Sequence, residues 1–92
     1  MGQQAHRLGD LNTASAAISS VPSNSDVFCN SKLLSVNGSP VVPHGTALHG
    51  APFTANGSST VFCHSIPVNS KTDADNCGHT RATGSTNVFI GG

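Results

Sequence analysis

The chain has 92 residues, four Lys and Arg against four Asp and Glu, four Phe, no Tyr or Trp, and 36% apolar residues. Zero net charge and the lack of a basic stripe with interleaved aromatics exclude a nucleic-acid-binding surface, and no apolar run is long enough to span a bilayer as a helix. A single small domain, residues 1–92, with so little apolar bulk barely offsets a conformational entropy cost of roughly 1.5 kcal/mol per ordered residue, so a staple is expected: a metal, a disulfide or an oligomeric partner.

The opening stretch, residues 1–11, has no apolar core behind a positive flank, so no secretory signal is expected and the Asn-Gly-Ser sequons at Asn37 and Asn56 carry little weight. Three cysteines, an odd number in a chain expected to be made in a reducing compartment, speak against a disulfide framework and for thiol or metal chemistry. His6, in this opening arm, and His64 read as surface residues. Residues 11–20 lack a 3.6-residue apolar period and are rich in Ser and Ala, which predicts strand and loop instead of helix.

Three segments share a pattern of small polar residues leading into Val-Phe: "SNSDVFCNSKLL" around Phe28, "GSSTVFCHSIPV" around Phe62 and "GSTNVFI" around Phe89. Flanking Gly, Ser, Asn and Pro make these short strands joined by tight turns. The spacings of 34 and 27 residues are irregular but fit one supersecondary unit used three times. The pattern predicts an all-β domain of short strands, with an internal repetition that can close around an axis and so remove its open edges. Cys29 and Cys63 come directly after the first two Val-Phe pairs and read as small buried apolar residues. The phenylalanines read as core or docking contacts.

The residues that bear chemistry lie in two places. "VPHGTALHGAP" holds His44 and His49, five apart and framed by Pro43 and Pro52. On a helix that spacing diverges, whereas on a Pro- and Gly-framed loop the two rings can converge. Cys77 and His79, two apart in "NCGHT", share one face of an extended chain. Together these four offer three imidazoles and a thiolate, a complete tetrahedral set for Zn²⁺, although the spacing is not that of a zinc finger. Solvated loop histidines are the plain alternative; the thin core favours metal, because binding energy of a structural ion appears as folding energy. A thiol enzyme built on Cys77 and an imidazole is a further reading. It has no helix N-terminus to activate the thiol and little chain for a substrate cleft, and a closed metal site leaves no position for substrate. "TDADNCG" imitates the start of an EF-hand loop, but Gly84 stands at position twelve where a bidentate Glu is needed, so Asp73 and Asp75 read as turn residues.

Three stretches give the chain a resemblance. "AHRLGD" (residues 5–10) resembles the Ala-Ala-Arg-x-Gly-Asp start of PAAR-repeat proteins, and "GSPVVPHG" (38–45) resembles their Gly-Asp-Pro-x-x-Pro-His segment with Ser39 in place of Asp. "TDADNCGHTRATGSTNVFIGG" (72–92) is similar to their Gly-Asp-x-x-x-Cys-Gly-His-x-Arg-Ala-x-Gly-Ser-x-x-Val-Phe ending, with Thr72 in place of Gly. The Pro-Ala-Ala-Arg string itself is not intact, and the histidine that many members carry after the first Gly-Asp is replaced by "LNTASAA". The resemblance implies a small conical domain of pseudo-threefold β-structure with a metal at its apex, held by His44, Cys77 and His79 with His49 as the fourth ligand, and the ion Zn²⁺ or Fe. It implies a non-enzymatic structural tip that caps the homotrimeric β-helical spike of a contractile phage tail or type VI secretion system, one tip per trimer. Such a tip contacts the host outer membrane transiently as the spike pierces it. The lack of a fused domain favours a virion, with the protein assembled in the host cytoplasm and placed at the distal end of the baseplate spike. A small metal-stabilised binding module unrelated to injection is the alternative.

Overall fold

The computed structural model describes residues 3–90, which form an all-β fold of very short strand pairs without an α-helix. Strands β2 (Phe28–Cys29) and β3 (Lys32–Leu33) form one antiparallel hairpin, and β4 (Phe62–Cys63) and β5 (Ile66–Pro67) form a second. The third pair is made by the ends of the chain, β1 (Gln3–Gln4) with β6 (Phe89–Ile90), in the register Gln4 opposite Phe89. Both hairpin turns, Asn30-Ser31 and His64-Ser65, have two central residues at φ 54° and 67°, the twist that matches a tight two-residue hairpin.

The polar lead-ins of the sequence repeat act as turn caps. Asn24 Oδ1 accepts the backbone N–H of Asp26 and Val27, Ser58 Oγ accepts those of Thr60 and Val61, and Ser85 Oγ accepts those of Asn87 and Val88. All three capping residues are buried. A short polar side chain at these positions satisfies backbone groups that no ladder reaches, which is why the Val-Phe segments begin after Asn or Ser.

At the centre three chain segments bond head to tail. His6 N–H donates to Asn69 O (3.1 Å), Asn69 N–H to Ser35 O (2.9 Å) and Ser35 N–H back to His6 O (3.0 Å). All three residues are completely buried. The bridges Ala5 with Ser70, Val36 with Val68 and Arg7 with Leu34 flank this cycle, so each segment crosses both others. Beyond it each segment turns through a left-handed residue, Gly9 (φ 89°), Gly38 (φ 87°) or Thr72 (φ 80°), and enters a longer hairpin. These hairpins are bridged internally at Leu11 with Ala17, Pro40 with Phe53 and Ala74 with Thr80. They are bridged to one another at Ile18 with Val41, Thr54 with Asp75 and Asn12 with Arg81, again each to both neighbours.

The interior is thin in apolar bulk and dense in hydrogen bonds. Ala5, Val36 and Val68 are fully buried beside Ile18, Val41 and Val21, and no phenylalanine joins them. Ser35 Oγ donates to Asn69 Oδ1 (2.7 Å), and Asn69 Nδ2 donates to Asn37 Oδ1 and Asn56 O. Cys29 and Cys63 are buried free thiols, as the sequence suggested. The phenylalanines differ from a core role: Phe28, Phe62 and Phe89 are 58%, 55% and 56% exposed. His64 lies on the surface as expected, paired with Asp26 (2.6 Å).

Two sequence expectations are corrected by this structure. His6 is not a surface residue in an arm: it is fully buried, its Nδ1–H donating to Thr83 O (2.8 Å) and its Nε2 accepting from Arg81 Nη1 (3.0 Å). Asp75 is not a turn residue bonding its own backbone. It forms a fully buried ion pair with Arg81 and accepts from Asn12 Nδ2 (2.9 Å). Asp73 does behave as expected, its carboxylate accepting from Ser70 N–H (2.8 Å). Asp10 occupies the corresponding turn after Gly9, bonded there to Arg7. Burial raises the Asp73 carboxyl, against the hydrogen bonds it accepts from Ser70. For Asp10 burial acts in the same direction, but hydrogen bonds and charge from Arg7 and the charge of His6 outweigh it, leaving that carboxyl below its ordinary value.

The turns and the buried imidazole can each be tested. A Cβ at Gly9 or Gly38 would meet nothing within 4 Å, so the demand for glycine there is torsional. Thr72 takes the same backbone conformation with a β-branched side chain, at a cost of about 1–2 kcal/mol. Thr72→Gly should therefore stabilise the fold by about 1 kcal/mol, raising Tm by about 4–8 °C; a fall in Tm would refute the equivalence of the three turns. Burial, reinforced by the Arg81 charge and opposed by the bond to Thr83, pushes the His6 imidazole down to about 4. The unfolded chain then takes up this proton near pH 6.5 and the native one does not, so stability is full above pH 6.5 and falls as pH drops toward 4. Metal-free His6→Asn should lose roughly 2–3 kcal/mol less than wild type between pH 7.5 and 4.5 in denaturant titrations; equal losses would exclude His6 as the source.

Candidate metal centre

The tips of the three longer hairpins meet at one end. The tip at residues 42–51 is closed by His44 N–H donating to His49 O (2.9 Å), with a single 3₁₀ turn, Ala47–His49, between them. That bond sets the two histidines side by side despite their five-residue spacing. A Cβ at Gly45 would lie 2.9 Å from the Cβ of His49, so the loop closes tightly only because residue 45 has no side chain. The third tip is tighter: Asp75 N–H donates to His79 O (2.7 Å) and Gly78, at φ 94°, lets the chain reverse just after Cys77. Asn76 joins the second and third hairpins, its N–H donating to Phe53 O and its Oδ1 accepting from Phe53 N–H.

Of the four expected ligands, the structure brings three into a common group: the nearest ligand atoms of His44, His49 and Cys77 all lie within 4.8 Å of one another. His44 Nε2 is 3.3 Å from His49 Nδ1 and 3.5 Å from Cys77 Sγ. With metal–nitrogen bonds of about 2.0–2.1 Å and a metal–sulfur bond of about 2.3 Å, the edges of a tetrahedron are about 3.4 Å between two nitrogens and about 3.6 Å between nitrogen and sulfur. The observed separations match both edges. His44 Nδ1–H donates to Val42 O (3.0 Å), and since a carbonyl can only accept, Nε2 carries the lone pair that faces the other two groups. All three side chains are half-buried.

His79 does not join that group of mutually close ligand atoms. Its ring stands beside it, 5.2 Å centroid to centroid from both His44 and His49, while those two rings are 5.1 Å apart. Its Nδ1 is 2.9 Å from Thr13 Oγ1, on the tip of the first hairpin. Thr13 had no signal in the sequence, because a threonine in "LNTASAA" resembles any loop hydroxyl. The Asp75–Arg81 pair beneath the third tip was equally unsignalled, since nothing in "DADNCGHTR" marks which carboxylate is buried.

Chemically the group can hold a cation through two imidazoles and a thiolate. Among the imidazoles the sequence offered as partners for Cys77, the one beside the thiol is His44. No family model matches the chain, and no curated protein matches it.

Metal should couple to stability at this centre. Zn²⁺ at 100 times its Kd should raise stability by about 2.7 kcal/mol over the chelator-treated protein, a Tm shift of about 10 °C or more. Cys77→Ala should abolish that shift while leaving the Tm of the metal-free protein within a few degrees. Calorimetry with and without EDTA reads both quantities; a zinc-dependent shift that persists in Cys77→Ala would exclude the thiol as a ligand.

Proposed function

We propose that this chain is the non-enzymatic tip of a contractile injection spike: a conical, pseudo-threefold PAAR-like body that caps a homotrimeric β-helical spike protein, one tip per trimer. The observation that carries this reading is the closed cycle of backbone bonds among His6, Asn69 and Ser35, in which three different segments of one chain make the same bonds. A trimer presents one surface three times around its axis, and a single chain can match it only through three like parts.

The strand pairs supply a surface for that match. Phe28, Phe62 and Phe89 occupy equivalent places in them and are all more than half exposed, with Val27 and Val88 beside them. Exposed aromatic side chains repeated in this way are suited to the buried centre of an interface. The other end suits passage through lipid. Histidines and Cys77 apart, residues 11–19, 40–56 and 74–80 contain one ionisable side chain, Asp75, and it is buried against Arg81. An end without exposed carboxylates, lysines or arginines avoids the cost of carrying such ions into a bilayer.

A metal at the meeting of the tips, Zn²⁺ or Fe, would hold together the part of the chain where apolar packing is scarcest; both ions accept imidazole and thiolate. Its role is mechanical, keeping the leading end folded as the spike is driven through a host outer membrane. The protein then belongs to the virion, at the distal end of the baseplate spike, after assembly in the host cytoplasm. A second reading, a metal-stabilised binding module, is favoured by one feature, a shallow groove of about 450 Å³ lined by Pro40, Val41, Pro43, Pro52 and Phe53.

Co-purification separates the two. A tip should be retained by a trimeric β-helical spike at one copy per three chains, and the triple substitution Phe28→Asp, Phe62→Asp, Phe89→Asp should abolish retention without changing metal content. No retention by any trimeric spike, or retention indifferent to the three phenylalanines, would contradict the reading.

A further inference from the structure

We propose that Thr13 is a positioning residue that turns His79 into the fourth ligand, so that the first hairpin contributes to the metal centre through a hydrogen bond instead of a ligand; this rests on the reading of the site as a metal centre. His44 shows how one ring is prepared: Nδ1–H is held by the carbonyl of Val42, leaving the Nε2 lone pair free to face the group. His79 has the matching arrangement, with Nδ1 2.9 Å from Thr13 Oγ1. When Nδ1–H donates to that hydroxyl, Nε2 of His79 carries the lone pair, and the hydroxyl hydrogen turns to solvent, to which Thr13 is exposed.

The placement of Thr13 is firm. Its N–H donates to Thr80 O (2.9 Å), directly after His79, and the bridge between Asn12 and Arg81 ties the two hairpins on the other side. Asn12 Oδ1 accepts from Ala14 and Ala16 N–H (2.8 and 2.9 Å), fixing the tip that carries Thr13. The hydroxyl is thus held by two hairpins against one nitrogen of one ring.

The ring geometry is that of a shared ion. Three imidazoles bound to one tetrahedral metal through nitrogen at about 2.0–2.1 Å place their ring centroids about 5 Å apart. The three rings observed form a nearly equilateral triangle of 5.1, 5.2 and 5.2 Å. In the proposed centre His79 is the third imidazole, its ring turning about its side-chain bonds while the Thr13 bond is kept, so that Nε2 takes the vertex left by His44, His49 and Cys77.

The test uses Co²⁺ as the probe with the full chain, reading affinity by competition and coordination by the visible d–d bands and the thiolate-to-cobalt charge-transfer band. Wild type should show the intense bands of tetrahedral coordination. Thr13→Val, which keeps the shape and removes the hydroxyl, should bind Co²⁺ about 10–100-fold more weakly, and Thr13→Ser should restore affinity. The metal-free Tm of the three proteins should agree, which separates positioning from a general effect on the fold. Equal affinity and identical spectra in wild type and Thr13→Val would overturn the role of Thr13 while leaving the metal reading intact; no cobalt binding by wild type would overturn both. Long-range ¹H–¹⁵N spectra of the zinc-loaded wild type provide a measurement independent of any variant: the proposal requires the His79 ring proton on Nδ1, and a proton on Nε2 refutes it.

Discussion

The fold depends on three backbone bonds. His6, Ser35 and Asn69 each give an N–H to one neighbour and a C=O to the other, all away from water. A buried amide without a partner costs about 1–3 kcal/mol, so displacing any one segment leaves two groups unsatisfied on the others as well as its own. This makes the cycle an all-or-none contact among segments separated by about thirty residues. It also orients the longer hairpins, since the turns after Arg7, Val36 and Ser70 send all three up together.

The cycle and the candidate metal centre are physically connected. His6 belongs to the cycle through its backbone, and its ring accepts from Arg81. Arg81 is paired with Asp75, whose own N–H is bonded to His79 O at the base of the Cys77 turn. A buried ion pair is costly to desolvate and is weak evidence for stability by itself. In this molecule its effect is placement: it fixes the third tip relative to the central cycle, and Asn12 adds the first hairpin to the same carboxylate.

The Val-Phe repeat was legible because the turn caps at Asn24, Ser58 and Ser85 are short polar residues that recur four positions before each Phe. Its irregular spacing has a structural cause. The second hairpin tip spans ten residues, 42–51, and the third spans three, 76–78; the seven additional residues equal the difference between spacings of 34 and 27. Both His44 and His49 lie on that longer tip, so the element that broke the periodicity also carries two of the candidate ligands. The convergence of His44 and His49 could be read from chain chemistry, since Pro43, Gly45 and Gly50 exclude a regular α-helix or strand and leave a single 3₁₀ turn. The burial of His6 could not: its partners, Thr83 and Arg81, are more than seventy residues away, and no local pattern distinguishes a buried ring from one on an exposed arm. The third strand pair was hidden similarly, because β6 pairs with a strand at the far end of the chain.

One cooperative cycle holds this chain together, and a metal bound at the hairpin tips would reinforce it from a distance. Native-state hydrogen exchange at the amides of His6, Ser35 and Asn69 tests it most directly. The three amides should exchange with a single free energy equal to that of global unfolding, and the value should rise by the same amount at all three when zinc is added. Protection that differs among them, or that is unmoved by zinc while the tips become protected, would contradict the account.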